Sequence, residues 1–391
     1  MDQSAQVRTD VLSRKFGIHR GTKQGDPLSS LLFNALLERV MSKVKIVFVE
    51  KKYGIQMGFG RLETADDTRL TNLRFADDVL VIGRSLQQLN NMLLPLHAES
   101  SISGLQLHPE KTKNLSSTNR GHRPRQRYVR VGDMKIEVLG RDDKIKYLGK
   151  QITFENGTQV ELSNRIKAAW AKFMQYKHEL TKKTYSLSDR LRLFESVVSP
   201  TVLYGSEAWT LTAEMARLLR TTQRRMLRAV LGQGRRRTQT APETPDDRDA
   251  TDSEDPLDAP PEEDRRDELE PWLDWIKRVT HNVENNLQRL GIKTWVEQAR
   301  KRKWKWAAEL YSGLGERKWS HVALEWNPQV HCDAPRSTAR RKPTRPNARW
   351  TDELRKFSKE RLRPEQQWND VCSNPDFWKT HENDFINRDV N

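Results

Sequence analysis

Cysteine is nearly absent: the 391 residues contain only Cys332 and Cys372. The two lie far apart and form no CxxC pair, which excludes a disulfide framework and a sequence-local zinc site and favours a reducing compartment. His331 and His381 are near them in sequence, but the spacing matches no ligand pattern. Long apolar runs are missing too. Nothing approaches the roughly 18 consecutive apolar residues of a membrane span, and the polar start from Met1 to Asp10 does not read as a secretory signal. An intracellular soluble protein with no membrane partner is expected. Apolar residues make up 35% of the chain, low against the roughly 45–50% of ordinary globular proteins. Part of the chain is therefore expected to lie outside any core.

Acids are outnumbered, with 53 Asp and Glu against 69 Lys and Arg, a formal +16. Those acids are also concentrated. Residues 241 to 270 hold 14 of them and 3 of the bases, leaving 66 bases against 39 acids elsewhere, or +27. Such a balance favours polyanions, nucleic acid first and an anionic membrane surface second, over a merely soluble basic surface.

Short apolar strands alternate with amphipathic helices over the first 230 residues, which predicts an α+β fold followed by a helical region. Pro27, after Gly25 and Asp26, suits a helix start, and Leu28, Leu31, Leu32, Ala35, Leu36 and Val40 recur as its apolar face. The runs Leu73 to Ala76 and Val79 to Ile82 are separated only by Asp77 and Asp78, the length of a two-residue hairpin loop. Ser85 and Gln88 make a capping box for a helix through Leu96 that stops near Gly104, with a kink at Pro95. Hairpins follow at Tyr128 to Leu139 and Ile145 to Phe154. Helices are expected over about 159–180, 187–204 and 212–231, the last closed by Gly232. Five prolines among acids between 238 and 268 predict a disordered linker. The resulting division is 1–155, a helical 156–237, an acidic linker at 238–270, and a basic region at 271–391 that holds 10 of the 12 Trp.

Two adjacent carboxylates at a hairpin tip need compensation. At about 4 Å their repulsion is roughly 1 kcal/mol in water and about 4 at an effective dielectric of 20. A divalent cation would supply it, since Mg²⁺ takes oxygen ligands, usually a couple of carboxylates with waters and substrate phosphates. An exposed acidic turn is the alternative. Gln24 offers an amide to a base or sugar, Gly25 a backbone that a ligand can approach closely, and Phe75 a ring beside the acids. Arg217, Arg220, Arg224 and Arg228 recur at three and four, so they share one helix face, suited to phosphates or simply solvated. Trp304 and Trp306, two apart among Lys301, Arg302, Lys303 and Lys305, cannot both face one core. Either one ring is exposed for base stacking or both are structural.

The order of these motifs resembles the reverse transcriptase of non-LTR (LINE-like) retrotransposons from about Val11 to Gly232. Gly21 to Ser29 resembles motif B, Phe75-Ala76-Asp77-Asp78 motif C, Gly104 and Leu105 with Lys111-Thr112-Lys113 motif D, and Tyr147-Leu148-Gly149 the primer-grip hairpin. The resemblance implies a partial palm followed by a thumb, and a nuclear protein working on an RNA template, a DNA primer or target and deoxynucleoside triphosphates with Mg²⁺. Asp77 and Asp78 would be the catalytic and metal-binding pair, and Lys111 would assist the departing pyrophosphate. Gly21, Gln24, Gly25 and Phe75 would line the nucleotide and template, and the four arginines would contact the nucleic-acid backbone. Arg340 to Pro346 with Arg349 to Leu354 resembles, more weakly, a tail segment of such elements.

One departure counts against activity. The family also uses an aspartate on a strand upstream of motif B, and the 20 residues before Gly21 contain no Phe-Asp strand of that kind. Asp10, in what reads as a strand just ahead of motif B, is not its replacement. The resemblance therefore implies a polymerase lacking motif A and fingers, inactive alone. The alternative is a non-catalytic nucleic-acid-binding remnant.

Overall fold

The computed structural model describes residues 3–18, 21, 25–57, 69–117, 127–155, 157–238, 268–311, 319–325, 349–361 and 374–388. They divide into one unit of Met1–Gly157 with Arg317–Pro346, and a second of Thr158–Glu316 with Asn347–Asn391. Helices mix with small, mostly antiparallel sheets, as the α+β reading expects. Residues 239–267 of the proposed 238–270 linker, both cysteines, Gln24, and Arg340 to Pro346 lie outside the described residues.

In the first unit, helix α1 (Pro27–Glu50) begins where Asp26 accepts from the Leu28 N–H at 2.9 Å, with Pro27 in its first turn. Its buried stripe is Leu37, Val40, Met41, Val44 and Phe48, packed on Met92, Leu93 and Leu96 of α2 (Leu86–Ile102). The expected face was placed too early. Leu28, Leu31 and Leu32 are more than half exposed, and packing against the core begins only at Phe33. Ser85 caps α2 by accepting from Gln88 N–H at 3.1 Å, and the helix continues through Pro95. The Gln88 amide oxygen accepts from Arg84 N–H at 2.9 Å, so the box closes one residue earlier than the usual reciprocal pair.

A three-stranded sheet covers these helices, with β9 (Met134–Leu139) between β7 (Lys113–Leu115), which runs parallel to it, and antiparallel β8 (Tyr128–Val131). Strict alternation sends Val129, Val131, Met134, Ile136 and Val138 into the core, as a half-buried sheet requires. Near the start, β1 (Gln3–Ala5) pairs with β2 (Phe16–Ile18), while β3 (Ile55–Gln56) pairs with β4 (Arg69–Leu70).

The second unit is helical. Helix α3 (Gly157–Gln175) is followed by α4 (Lys177–Thr181), α5 (Leu187–Val197), α6 (Ser199–Val202) and α7 (Ala213–Leu231). Thr212 caps α7 by accepting from Met215 N–H at 3.3 Å, and Gly232 ends it in the left-handed region at φ 61. Beyond the acidic segment, α8 (Trp272–Arg289) and α9 (Trp295–Tyr311) pack into the same core as α3, α5 and α7. Trp295 is fully buried, stacks on Phe194 at 5.8 Å and donates to Ser199 Oγ at 2.7 Å. Amphipathic α8 needs an apolar partner and finds it on α7, so helices on both sides of the acidic segment share one core. Strand β12 (Arg237–Thr238) pairs with β13 (Glu268–Leu269), so both ends of the acidic stretch meet at one place.

Trp304 and Trp306 of α9 are both packed. Trp304 stacks on Trp378 at 3.6 Å between centroids, and Trp306 meets Trp350 edge-on at 5.1 Å. Different chain segments cover the two faces, so neither ring is the fully exposed stacking platform that the sequence left open.

Candidate functional site

Strand β5 (Asn72–Phe75) pairs antiparallel with β6 (Asp78–Val81), Phe75 facing Asp78. The two-residue loop is thus Ala76-Asp77, one residue earlier than the spacing suggested, and Asp78 opens β6. Ala76 lies at φ 51, as primed hairpin turns demand of their first loop residue. For a residue with a Cβ that conformation costs roughly 1–2 kcal/mol. Both aspartates are exposed, neither in an ion pair among the described residues. Phe75 is 65% exposed, so it is not a core residue.

A lone two-stranded hairpin is marginal in water, and three attachments hold this one. Val79 and Val81 pack against the first unit's core. Arg74 Nη1 lies 2.6 Å from Glu38 Oε2 of α1, and this hydrogen bond holds the Glu38 carboxyl below its usual range. The third attachment is a second hairpin, β10 (Ile145–Tyr147) with β11 (Lys150–Ile152). Its loop residues Leu148 and Gly149 both have positive φ, 47 and 74, the signature of a type I′ turn. From its end the Tyr147 hydroxyl donates to the Leu73 carbonyl oxygen at 3.4 Å. Burial, with the Asp78 carboxylate, pushes the Tyr147 phenol above its usual pKa.

The tip therefore gathers Phe75, Asp77 and Asp78 with Tyr147 of the second hairpin. Gly21 and Gly25, at φ 98 and 91, shape the turn ahead of α1, and no described neighbour lies within 4 Å of where a Cβ would stand on either. Lys111 is exposed in the turn before β7, and no hydrogen bond or ion pair among the described residues joins it to the tip. Asp10, expected in a strand, instead lies in the turn closed by the Arg8–Leu12 bridge.

Among the described residues, no group of three or more His, Cys, Asp or Glu side chains is placed to hold a metal. The donor chemistry of the tip still fits Mg²⁺, which is commonly held by one or two protein carboxylates plus water and substrate phosphates. Sequence reasoning missed Glu38 and Arg74, whose pairing brings a helix and a strand together and leaves no local signal. It also missed a groove of about 1030 Å³ alongside β5, lined by α1 residues such as Met41, Phe48 and Lys45 and closed by Trp319 of α10 (Trp319–Glu325).

The basic face of α7 is only partly open. Arg217 is exposed, whereas Arg224 pairs with Glu284 of α8 at 2.5 Å and Arg228 donates to Thr280 Oγ1 at 3.0 Å. Burial, together with Arg224 and Arg225, holds the Arg228 pKa below its usual value. No described helix is long and apolar enough to cross a membrane.

Residues 4–152 match the family model described as reverse transcriptase (RNA-dependent DNA polymerase). A transposon-derived protein of Caenorhabditis elegans is 36% identical over 166 residues, 42% of this chain and 57% of that protein. The retrovirus-related Pol polyprotein from type-1 retrotransposable element R2 of Popillia japonica is 28% identical over 227 residues, 55% of this chain and 29% of the polyprotein. The corresponding polyprotein from type-2 element R2DM of Drosophila melanogaster is 27% identical over 228 residues, 55% of this chain and 19% of its own length. The chain thus spans little more than half of the first relative and under a third of these polyproteins. The matched segment, which contains both hairpins and the aspartate pair, is a reverse transcriptase domain of the non-LTR retrotransposon kind.

Proposed function

We propose that this domain serves RNA-directed DNA synthesis, with Asp77 and Asp78 as its acidic pair and an RNA template, a DNA primer and deoxynucleoside triphosphates as its partners. The supporting observation is the exposed aspartate pair on a strained, braced hairpin tip within the matched segment. Asp77 and Asp78 would hold Mg²⁺, which when bound neutralises phosphate charge and activates a primer hydroxyl. Phe75 would stack beside the incoming nucleotide. Gly21, Gln24 and Gly25 would shape the wall before α1, and Lys111 would give a proton to the departing pyrophosphate. Tyr147, Leu148 and Gly149 would hold the primer end. A nuclear location belongs to the same reading.

Two carboxylates from one tip hold a metal loosely, so the 391-residue chain on its own is expected to extend primers poorly or not at all. Primer extension on an RNA template with the purified chain and with Asp77→Ala tests this. Strong synthesis that disappears in the variant would overturn the low-activity expectation and establish the aspartate's role.

The charge of +27 outside residues 241 to 270 favours a second reading, nucleic-acid binding without catalysis. Affinity for an RNA–DNA duplex should then fall steeply as salt rises. Undetectable or salt-independent binding would count against it.

A further inference from the structure

In the second unit, a cavity of about 180 Å³ lies where α7, α8 and the start of α9 meet the segment ending at Arg388. Its polar lining holds Arg220, Arg224, Arg300 and Arg388 beside Gln223, with Arg300 paired to Glu353 at 3.1 Å and Arg388 to Glu360. The two acids on its wall are already engaged. Glu284 pairs with Arg224 at 2.5 Å, and Glu297 accepts from the Thr294 N–H at 2.6 Å.

Gln223 is 2% exposed. Its Oε1 accepts from the Trp295 N–H at 3.0 Å, which fixes the orientation of the amide. Its Nε2 is then buried with no partner among the described residues, and Arg388 Nη1 is in the same condition. Buried donors are nearly always satisfied, and leaving one bare is costly. Both residues line the cavity, and two bare donors within its walls call for an acceptor. Arg220, half-buried on the same wall, forms no ion pair among the described residues. Burial holds the Arg300 pKa below its usual value against the opposing pull of Glu353, and the nearby Arg220 and Arg388 guanidinium groups add to the fall. The N-terminus of the 17-residue α9 adds the positive end of a helix dipole.

We propose that this cavity binds a single tetrahedral oxyanion, a phosphate group, supplied either by a free phosphate or by the terminal phosphate of a nucleic-acid strand. The volume suits one such group with a few waters of roughly 30 Å³ each. The site shares no residue with the aspartate hairpin and does not depend on the polymerase reading.

Thermal unfolding of the full chain in sodium phosphate and in sodium chloride at matched ionic strength tests the proposal. A midpoint that rises and saturates with phosphate is expected. Gln223→Glu keeps an acceptor for Trp295 N–H but replaces the bare donor with a second carboxylate oxygen. That variant should unfold at higher temperature than the parent in chloride and lose the phosphate response. Arg220→Gln breaks no described ion pair and should weaken phosphate about tenfold, the worth of one charged hydrogen bond. Competition by a 5′-phosphorylated oligonucleotide but not by its 5′-hydroxyl twin assigns the group to a strand end, and phosphate binding without that difference assigns it to a free phosphate. A response no larger than that to chloride, or one that survives both substitutions, overturns the proposal.

Discussion

Tyr147 and Leu73 join the two hairpins of the first unit, the Tyr147 hydroxyl donating to the Leu73 carbonyl oxygen across 3.4 Å. The phenol is also a neighbour of Asp78, and burial with that carboxylate raises its pKa. Asp78→Asn removes the negative charge that disfavours phenolate, so the Tyr147 pKa should fall toward its usual value. Ultraviolet titration of the phenolate band, with Tyr147→Phe identifying the signal, checks this. An unchanged titration in Asp78→Asn would separate the two groups.

Ala76 occupies φ 51 at the hairpin loop. Ala76→Gly should stabilise the first unit by about 1 kcal/mol, the left-handed penalty less the greater freedom glycine loses on folding. The shift in denaturant midpoint measures it, and destabilisation would mean the alanine methyl makes a contact worth more than its strain.

Trp304 and Trp378 exchange hydrogen bonds, each indole N–H donating to the other's backbone carbonyl, at 3.0 and 2.9 Å, over rings 3.6 Å apart. Trp378→Ala should cost about 3–5 kcal/mol, as large-to-small aromatic changes in cores do. Trp378→Phe keeps a ring but leaves the Trp304 carbonyl without its indole donor, and should cost about 1–3 kcal/mol. Equilibrium unfolding of both variants gives the order, and equal losses would show that the stack contributes nothing.

Glu270 is gripped by both arms of Arg278, at 2.7 and 2.8 Å, and by the Arg236 N–H at 3.1 Å. The Arg278 hydrogen bonds, ahead of the other causes, hold its pKa down at about 2 from an ordinary 4.5. A carboxyl lowered on folding contributes stability that is present above its unfolded pKa and lost as pH falls through the folded one. Stability of the second unit should therefore decline between pH 4.5 and about 2, and Glu270→Gln should flatten that decline while lowering stability at neutral pH. Parallel acid titrations of the two proteins would show it.

Much of this structure is legible from local chemistry. The capping residues Ser85 and Thr212, the terminator Gly232 and the turn at Gly132 each act within a few residues, so their positions follow from the chain itself. The acidic tip was visible for the same reason, with its loop one residue out because alternation alone does not say which residue takes the positive φ. Long-range packing was not visible. Periodicity assigns an apolar stripe to α1 but not its cover, so exposed Leu28 and buried Met41 read alike. The same limit hid the docking of α8 on α7 and the separate covers over Trp304 and Trp306. Glu38 and Arg74 meet only after α1 and β5 are both in place.

The pairing of Arg237 with Leu269 and Thr238 with Glu268 makes the acidic stretch an excursion that departs from and returns to one doorstep. With those ends pinned, a change in the length of the segment between them is expected to leave the helices on either side in place. A permuted protein with new termini opened there should keep the α7–α8 contact.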